Sequence, residues 1–475
     1  MTGRLEHLRV LFAEALGVPQ VGPAEHFLAA GGDLAAARRL VGRVRADLGV
    51  DLSLRDFLKS PTPAGLDARC GGDPVAPAAI PRAAAARPST GDAAIDAEIA
   101  ERLRRITPAP ETGSAAPDAL VLLTGASGFV GAFVLAALLA RGQRVTVLLR
   151  GGLARRAGLV AHLEGLGLWR EDYADALEIV AGDLAAPALG LDPAARDALV
   201  RDASRIVHCA AWVNHVLPYS LLAAANAHSA AEILELAATG RPKSVTHVST
   251  KGVLSAAHYP QDTVITAGPV VGLPPEGDGY GRSKAVAEAY IAHAAELGVR
   301  ASIVRIPGVF GDRDAYQIQK NDAVWSWTKA ILLTGRYPNS YDLADNELFQ
   351  ALPADVVAQV VLDLAHPADE PGCRFVNAVP NRVCTTRDFV AGLREAGHAV
   401  EPMDDRAWHR EVGRLDVDEV WVAAVAGSLA THPEIGDPQR LPRFAVDEDP
   451  AVSEAVESAA IRTPRDVAGY IRALK

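Results

Sequence analysis

Between residues 119 and 306, short strand-like runs, apolar or mixed, alternate with longer stretches of helical period. The runs fall at 119–123, 144–149, 177–184, 204–211, 245–250 and 301–306. The first of them, 119–123, is apolar throughout and suits a strand covered on both faces. Helices are expected at 132–140 and from Tyr280 to about His293. Strand and helix in alternation predict an α/β fold, a Rossmann-type doubly wound parallel sheet, over 118–312. Beyond Asp312 the alternation loosens, and Trp325, Trp327, Tyr337 and Tyr341 gather. A smaller C-terminal substrate or lid subdomain is expected over 313–475, taking in the strand-like 374–377 and a helix over 386–397.

The first 72 residues follow a different pattern. Leu5, Leu8, Leu11, Phe12 and Leu16 make one apolar helix face, stopped at Gly17. A second helix is expected over 34–48, a short turn at 54–57, and a last helix after Pro61-Thr-Pro63. This reads as a small, four-helix unit. Residues 73–117 are rich in Pro and Ala, the composition of a semi-extended linker. Within it Ile95, Ile99, Leu103 and Ile106 recur at helical spacing, so one helix should pack on the domain that follows.

The first strand runs into Thr124-Gly125-Ala-Ser127-Gly128-Phe129-Val130-Gly131. The first glycine permits a tight turn off the strand. The second removes a side chain where a pyrophosphate must approach the backbone, and the third lets helix and strand pack closely. Free N–H groups at the helix start would meet phosphate oxygens. A membrane span over 119–140 is the competing reading, but glycines punctuate the run and a strand follows at once. A dinucleotide fold selective for NAD ends its second strand with a carboxylate for the ribose hydroxyl. Here Arg150 stands, with Arg155 and Arg156 behind it, so cations are offered to the extra phosphate of NADPH. Asp183 closes the third run and could meet the adenine.

Three further residues suit hydride-transfer chemistry. Thr250 ends the fifth run, and Tyr280 precedes Lys284 by one helical turn. Lys284 is expected to lower the tyrosine pKa so that the phenol transfers a proton near neutral pH. Thr250 can hydrogen-bond a substrate oxygen as charge develops on it.

Composition narrows the field. The 475 residues are 49% hydrophobic and 22% charged, enough for two or three buried cores, and the net charge of −11 argues against a nucleic-acid partner. Cys70, Cys209, Cys373 and Cys384 are scattered without metal spacing, so no metal site is expected. A reducing compartment follows, and the N-terminal residues lack the apolar core of a leader. A cytoplasmic protein without membrane contact is expected.

Residues 1–72 resemble an acyl or peptidyl carrier domain in Phe27, Gly31-Gly32-Asp33, Leu40, Leu48-Gly-Val50, Leu52, Phe57 and Pro61-Thr62. That family carries a phosphopantetheine arm on the Ser after Gly-Gly-Asp. Leu34 stands there and offers no oxygen, and Ser53 and Ser60 are misplaced to substitute. The unit is expected to be unable to carry an acyl group, and to be either a remnant or a docking module.

The glycine turn with Thr250, Tyr280 and Lys284 resembles the extended short-chain dehydrogenase/reductase superfamily. The match is nearer to the thioester reductase domains of nonribosomal peptide and polyketide synthases and of carboxylic acid reductases. It rests on 211–219, 238–243, His247-Val-Ser-Thr250, Gly279-Tyr280, Ser283-Lys284 and Asn321-Asp322, with Pro353-Ala-Asp355 and Trp408. The resemblance implies catalytic Thr250, Tyr280 and Lys284. It implies a cofactor site of Thr124, Gly125, Ser127, Gly128, Phe129, Val130, Gly131, Arg150, Asp183, Leu184, Ala210, Ala211, Tyr280, Lys284, Pro307, Gly308 and Val309. The implied reaction is NADPH-dependent reduction of an acyl or peptidyl thioester to an aldehyde, with a second reduction to the alcohol left open. The thioester would come on a separate carrier protein or coenzyme A, and an assembly-line synthase is a candidate partner. Departures are Ala285 in place of Trp, Asn226-Ala-His-Ser-Ala230, Arg305-Ile-Pro-Gly308, and Lys251 directly after Thr250. Two other readings stay open, a reductase or epimerase of a free small molecule and a non-catalytic docking protein.

Overall fold

Seven strands build one parallel sheet. β1 (Leu120–Thr124), β2 (Val145–Leu149), β3 (Leu177–Ala181), β4 (Ala203–His208), β5 (Ser244–Thr250), β6 (Arg300–Ile306) and β7 (Gly372–Asn377) lie in the order β3-β2-β1-β4-β5-β6-β7. Every neighbouring pair is parallel. The computed structural model describes residues 2–23, 25, 27, 34–48, 52, 57, 61–69, 90–107, 120–215, 217–240, 243–254, 264–313, 315–319, 323–342, 347–365, 370–412, 441, 443–445 and 449–474. Gly31-Gly32-Asp33, the turn at 54–57 apart from Phe57, the Pro/Ala-rich 73–89 and Asn321-Asp322 lie outside these residues.

Side chains alternate between the two faces, as the period of a strand requires. Leu122, Ile206, Val245, Ala301 and Ile303 join one core, with the helices Ser229–Ala238 and Gly279–Ala292. Val121, Leu123, Val147, Val207, Val248 and Val304 join the other, with the helix Phe129–Ala140. Phe129–Ala140 is apolar throughout and buries nine side chains or Cα positions, as a helix clasped between sheet and neighbours must. The doubly wound sheet expected from the apolar runs is therefore present. No described helix is long and apolar enough to cross a membrane.

One strand is placed differently from expectation. Residues 372–377 do not belong with the aromatic C-terminal cluster. They pair in parallel with β6 over six residues and close the edge of the main sheet. The physical reason is long-range: β6 would otherwise present an open row of backbone donors and acceptors. Trp325, Trp327, Tyr337, Tyr341, Phe349, Phe389, Trp408 and Tyr470 do form a third core of their own. All are buried, and Trp408 Nε1 donates to Arg336 O at 2.7 Å, so these rings serve packing.

The N-terminal unit has its own core too. Among the described residues it shows three helices, α1 (Thr2–Leu16), α2 (Leu34–Leu48) and α3 (Pro63–Arg69). Phe12, Phe27 and Phe57 interlock at ring separations of 5.3 to 5.7 Å. Leu34 is the first residue of α2. The linker helix α4 (Ala93–Leu103) is capped by Asp92, whose side chain accepts from Ala94 N and Ile95 N. Its Ile95 and Ile99, with Ile106, enter the same core as Gly279–Ala292. Glu98 pairs with His228 at 2.8 Å and Asp92 with Arg282 at 3.5 Å.

Candidate active site

Six of the expected positions follow the C-terminal ends of adjacent strands, and so lie on one edge of the sheet. Gly125 follows β1, Arg150 β2, Asp183 β3, Ala210 β4 and Pro307 β6, while Thr250 closes β5. The strand order reverses between β1 and β4, and the crevice at such a point is where open α/β sheets bind ligands.

The glycine turn is built for backbone contact. Gly125 has φ of +81°, and a Cβ there would lie 2.6 Å from Ala210 N. A Cβ on Gly131 would lie 2.0 Å from Gly125 O, so only glycine lets the helix α5 (Phe129–Ala140) start this close to the turn. Gly128 is the N-cap and offers no side chain, while the first intrahelical bond runs from Ala132 N to Gly128 O. The N–H groups of Phe129, Val130 and Gly131 are thus left for an anion. Thr124, beneath the turn, accepts from Ala210 N at 3.4 Å and lies 2.7 Å from His208 Nδ1. These residues fit the pyrophosphate of a dinucleotide.

The second and third strands supply charge. Arg150 is exposed, with no side-chain partner among the described residues. Arg156 is not available in the same way. Its guanidinium donates to Leu177 O at 2.9 Å and Ala174 O at 3.1 Å, which corrects the expectation of three cations awaiting a phosphate. β3 stops at Ala181, short of the expected 184. Asp183 instead sits in a turn, donating its N–H to Leu189 O and accepting from Ala185 N. Gly308 and Val309 pair with Ala351 and Leu352 in a short parallel ladder, which commits part of that backbone.

Tyr280 and Lys284 open the helix α6 (Gly279–Ala292), capped by Asp278 through Gly281 N at 2.8 Å. A Cβ on Gly279 would lie 2.1 Å from Leu217 O, so the helix start presses against the 211–219 loop. Asn226 fastens the same loop. It accepts from Trp212 N at 2.7 Å and donates to Trp212 O at 3.1 Å and Ser283 Oγ at 2.9 Å. His215 stands edge-on to the Tyr280 ring at 5.2 Å. Burial, then the Asp278 carboxylate, pushes the Tyr280 phenol up. This corrects the expectation that Lys284 would lower it. The ammonium is turned away to β5, donating to Val248 O at 2.8 Å and lying 3.1 Å from His247 Nε2. Burial pulls Lys284 down to about 8.

Thr250 Oγ1 accepts from Gly252 N at 3.1 Å, and its hydroxyl proton has no acceptor among the described residues. Lys251 turns to Gln350 Oε1 at 3.1 Å, and burial lowers it to about 8. Asn226, Asp278, His208, His215 and His247 are not among the residues to which the sequence assigns a role. Asp278 before an apolar helix is a legible N-cap signal. The others come together only through the packing of distant elements.

The comparisons with known proteins point to the same fold. The family model described as Male sterility protein, an NAD-binding family, matches residues 123–361, half of the chain. The model described as Phosphopantetheine attachment site matches 6–69. The chain is 32% identical over 303 residues to glycine betaine reductase ATRR of Emericella nidulans, covering 61% of this chain and 23% of that protein. It is 30% identical over 438 residues to the isonitrile lipopeptide synthase of Mycobacterium tuberculosis, covering 84% and 17%. The chain thus spans less than a quarter of either relative. Among solved structures, the terminal R domain from the myxalamid PKS-NRPS biosynthetic pathway is 26% identical with a TM-score of 0.67, over 80% of this chain and 96% of that one. The chain therefore belongs to the NAD-binding family described as Male sterility protein, shares its fold with the terminal reductase domains of peptide and polyketide synthases, and carries a phosphopantetheine-attachment-type domain ahead of it.

Proposed function

We propose that this chain reduces an acyl or peptidyl thioester to an aldehyde with NADPH, in natural-product biosynthesis. The observation that carries the reading is that α6, which bears Tyr280 and Lys284, is tied to β5, which ends in Thr250: Lys284 Nζ donates to Val248 O at 2.8 Å, and Thr250 lies at the same sheet edge as the glycine turn. Relatives named as a reductase and as a lipopeptide synthase support the substrate class. NADPH, when bound, supplies the hydride. Gly125, Gly128 and the first N–H groups of α5 hold its pyrophosphate, and Arg150 meets the additional phosphate. Tyr280 keeps its proton until an oxyanion takes it, since burial holds the phenol neutral. Thr250 donates its hydroxyl to the same oxygen. Lys284 has three donors and spends two on partners among the described residues, so the third remains for a cofactor hydroxyl. The balance is thioester, NADPH and a proton giving aldehyde, thiol and NADP⁺.

Leu34 supports delivery in trans, on another carrier or as coenzyme A thioester, with residues 1–72 serving as a docking unit or remnant. The test measures NADPH consumption against carrier-bound and coenzyme A thioesters, free aldehydes and nucleotide sugars. Thioester-dependent oxidation with aldehyde formed is expected. Turnover confined to nucleotide sugars would replace this reading with that of a free small-molecule reductase or epimerase.

A further inference from the structure

A polar interior lies beneath the glycine turn, and the proposed reaction uses only part of it. His208 and His247 are register partners on β4 and β5, fully buried, with rings 5.1 Å apart. His208 is bracketed by Thr124 Oγ1 at 2.7 Å and Ser229 Oγ at 3.5 Å. Among the described residues His247 has one hydrogen-bond partner, the Lys284 ammonium, at Nε2. An ammonium has no lone pair, so the imidazole must accept. The ring proton then sits on Nδ1, which is buried and has no partner among the described residues. An unpaired buried donor is costly, and the bond to Lys284 is what this tautomer gains.

The other groups around Lys284 are already committed. Glu288, one turn along α6, accepts from Ser249 Oγ at 2.6 Å and pairs with Arg305 at 2.7 Å. Burial holds the Cys209 thiol neutral, raised to about 12, and pushes His208 down to about 3. Burial first, then the Lys284 charge, keeps His247 well below the usual histidine range, so it remains an acceptor across neutral pH.

We propose that His247 is a positioning residue for Lys284, its Nε2 and the Val248 carbonyl together fixing the ammonium and leaving its third N–H for the bound cofactor. The inference rests on the reading of Lys284 as part of the hydride-transfer site, but it is tested on the free protein.

Histidine labelled with ¹⁵N reports the tautomer directly. An unprotonated Nε2 with a protonated Nδ1 at His247 is expected, and a protonated Nε2 overturns the proposal whether or not any variant folds. Lysine labelled with ¹³C at Cε reports the titration of Lys284. In His247→Phe, which keeps the ring volume and loses the acceptor, the Lys284 midpoint should fall by about one pH unit. In His247→Gln, whose amide oxygen reaches as far as Nε2, the midpoint should return toward that of the unsubstituted protein. NADPH binding should weaken about tenfold in the Phe variant and recover in the Gln variant. An unchanged Lys284 midpoint in His247→Phe, or a Gln variant no better than Phe, overturns it. Failure of the unsubstituted protein to reduce any thioester would sink the proposed function and leave these measurements standing.

Discussion

Tyr280 enters the site with its proton held, and that decides what it can do. A raised phenol is a poor base and a donor only to a strongly basic oxygen, which is what hydride addition to a carbonyl creates. Tyr280→Phe should cut thioester-dependent NADPH oxidation about 10²–10⁴-fold while NADPH binding, followed by fluorescence, survives. Near-full turnover would assign the proton to another group. Arg150→Ala should raise the KM for NADPH and leave that for NADH nearly unchanged, because an exposed guanidinium contributes through the additional phosphate alone. Equal use of both cofactors by the unsubstituted protein would refute the NADPH preference. His208 makes a further prediction. Burial takes it from 6.5 down to about 3, so between those values the unfolded chain binds a proton that the folded chain does not. Stability therefore rises with pH across that window and is lost on acidification. His208→Gln removes the titration, so its melting temperature should fall less than the parent's between pH 7 and pH 4. Equal slopes in the two proteins would show that His208 titrates as freely folded as unfolded. The glycine turn and the residues proposed as catalytic were legible because their types and spacing carry the chemistry. His208 and His247 were not, because a histidine in an apolar run has no meaning until the neighbouring strand is known.

The helix α6 bears Tyr280 and Lys284, so whatever fixes its axis fixes both. The principal tie is buried. Glu288 on α6 receives Arg305 of β6 through both oxygens, and Arg305 also donates to Asn377 Oδ1 on β7 and to Gly268 O. Glu288 is 2% exposed and Arg305 1%. Removing one partner strands the other charge in the interior. Glu288→Ala should therefore lose about 3–5 kcal/mol in chemical denaturation. A loss below about 1 kcal/mol, the level of a surface pair, would show that the pair is not isolated from water. Strands β1 to β6 could be read in order, β1 from an unbroken apolar run, since burial on both faces leaves that signal. β7 could not be assigned. Its residues are mostly half-buried, and its partner lies some seventy residues earlier, so nothing local says which sheet it joins.

The whole molecule joins a carrier-type unit to a reductase-type fold, and Leu34 makes their functional separation testable. A phosphopantetheinyl transferase should add no mass to this protein, because the first residue of α2 has no hydroxyl. Intact mass spectrometry decides it, and an adduct on the unsubstituted chain would refute the claim. Leu34→Ser should restore loading if the rest of the unit is still recognised. Deleting residues 1–72 tests docking. A loss confined to carrier-bound substrate supports recruitment by this unit, and unchanged turnover of carrier-bound and free thioesters marks it as a remnant.

By itself the sequence determined the parallel α/β class, the glycine turn, the Thr250–Tyr280–Lys284 set and the missing serine. Each is a local statement, fixed by side-chain period, by the need for a missing Cβ or by the presence of a reactive oxygen. Tertiary structure alone decided that Lys284 faces His247 rather than lowering Tyr280, that Arg156 is spent on carbonyls, and that 372–377 closes the main sheet. Hydrogen-bond partners and desolvation depend on which distant segments meet, and no spacing along the chain records that.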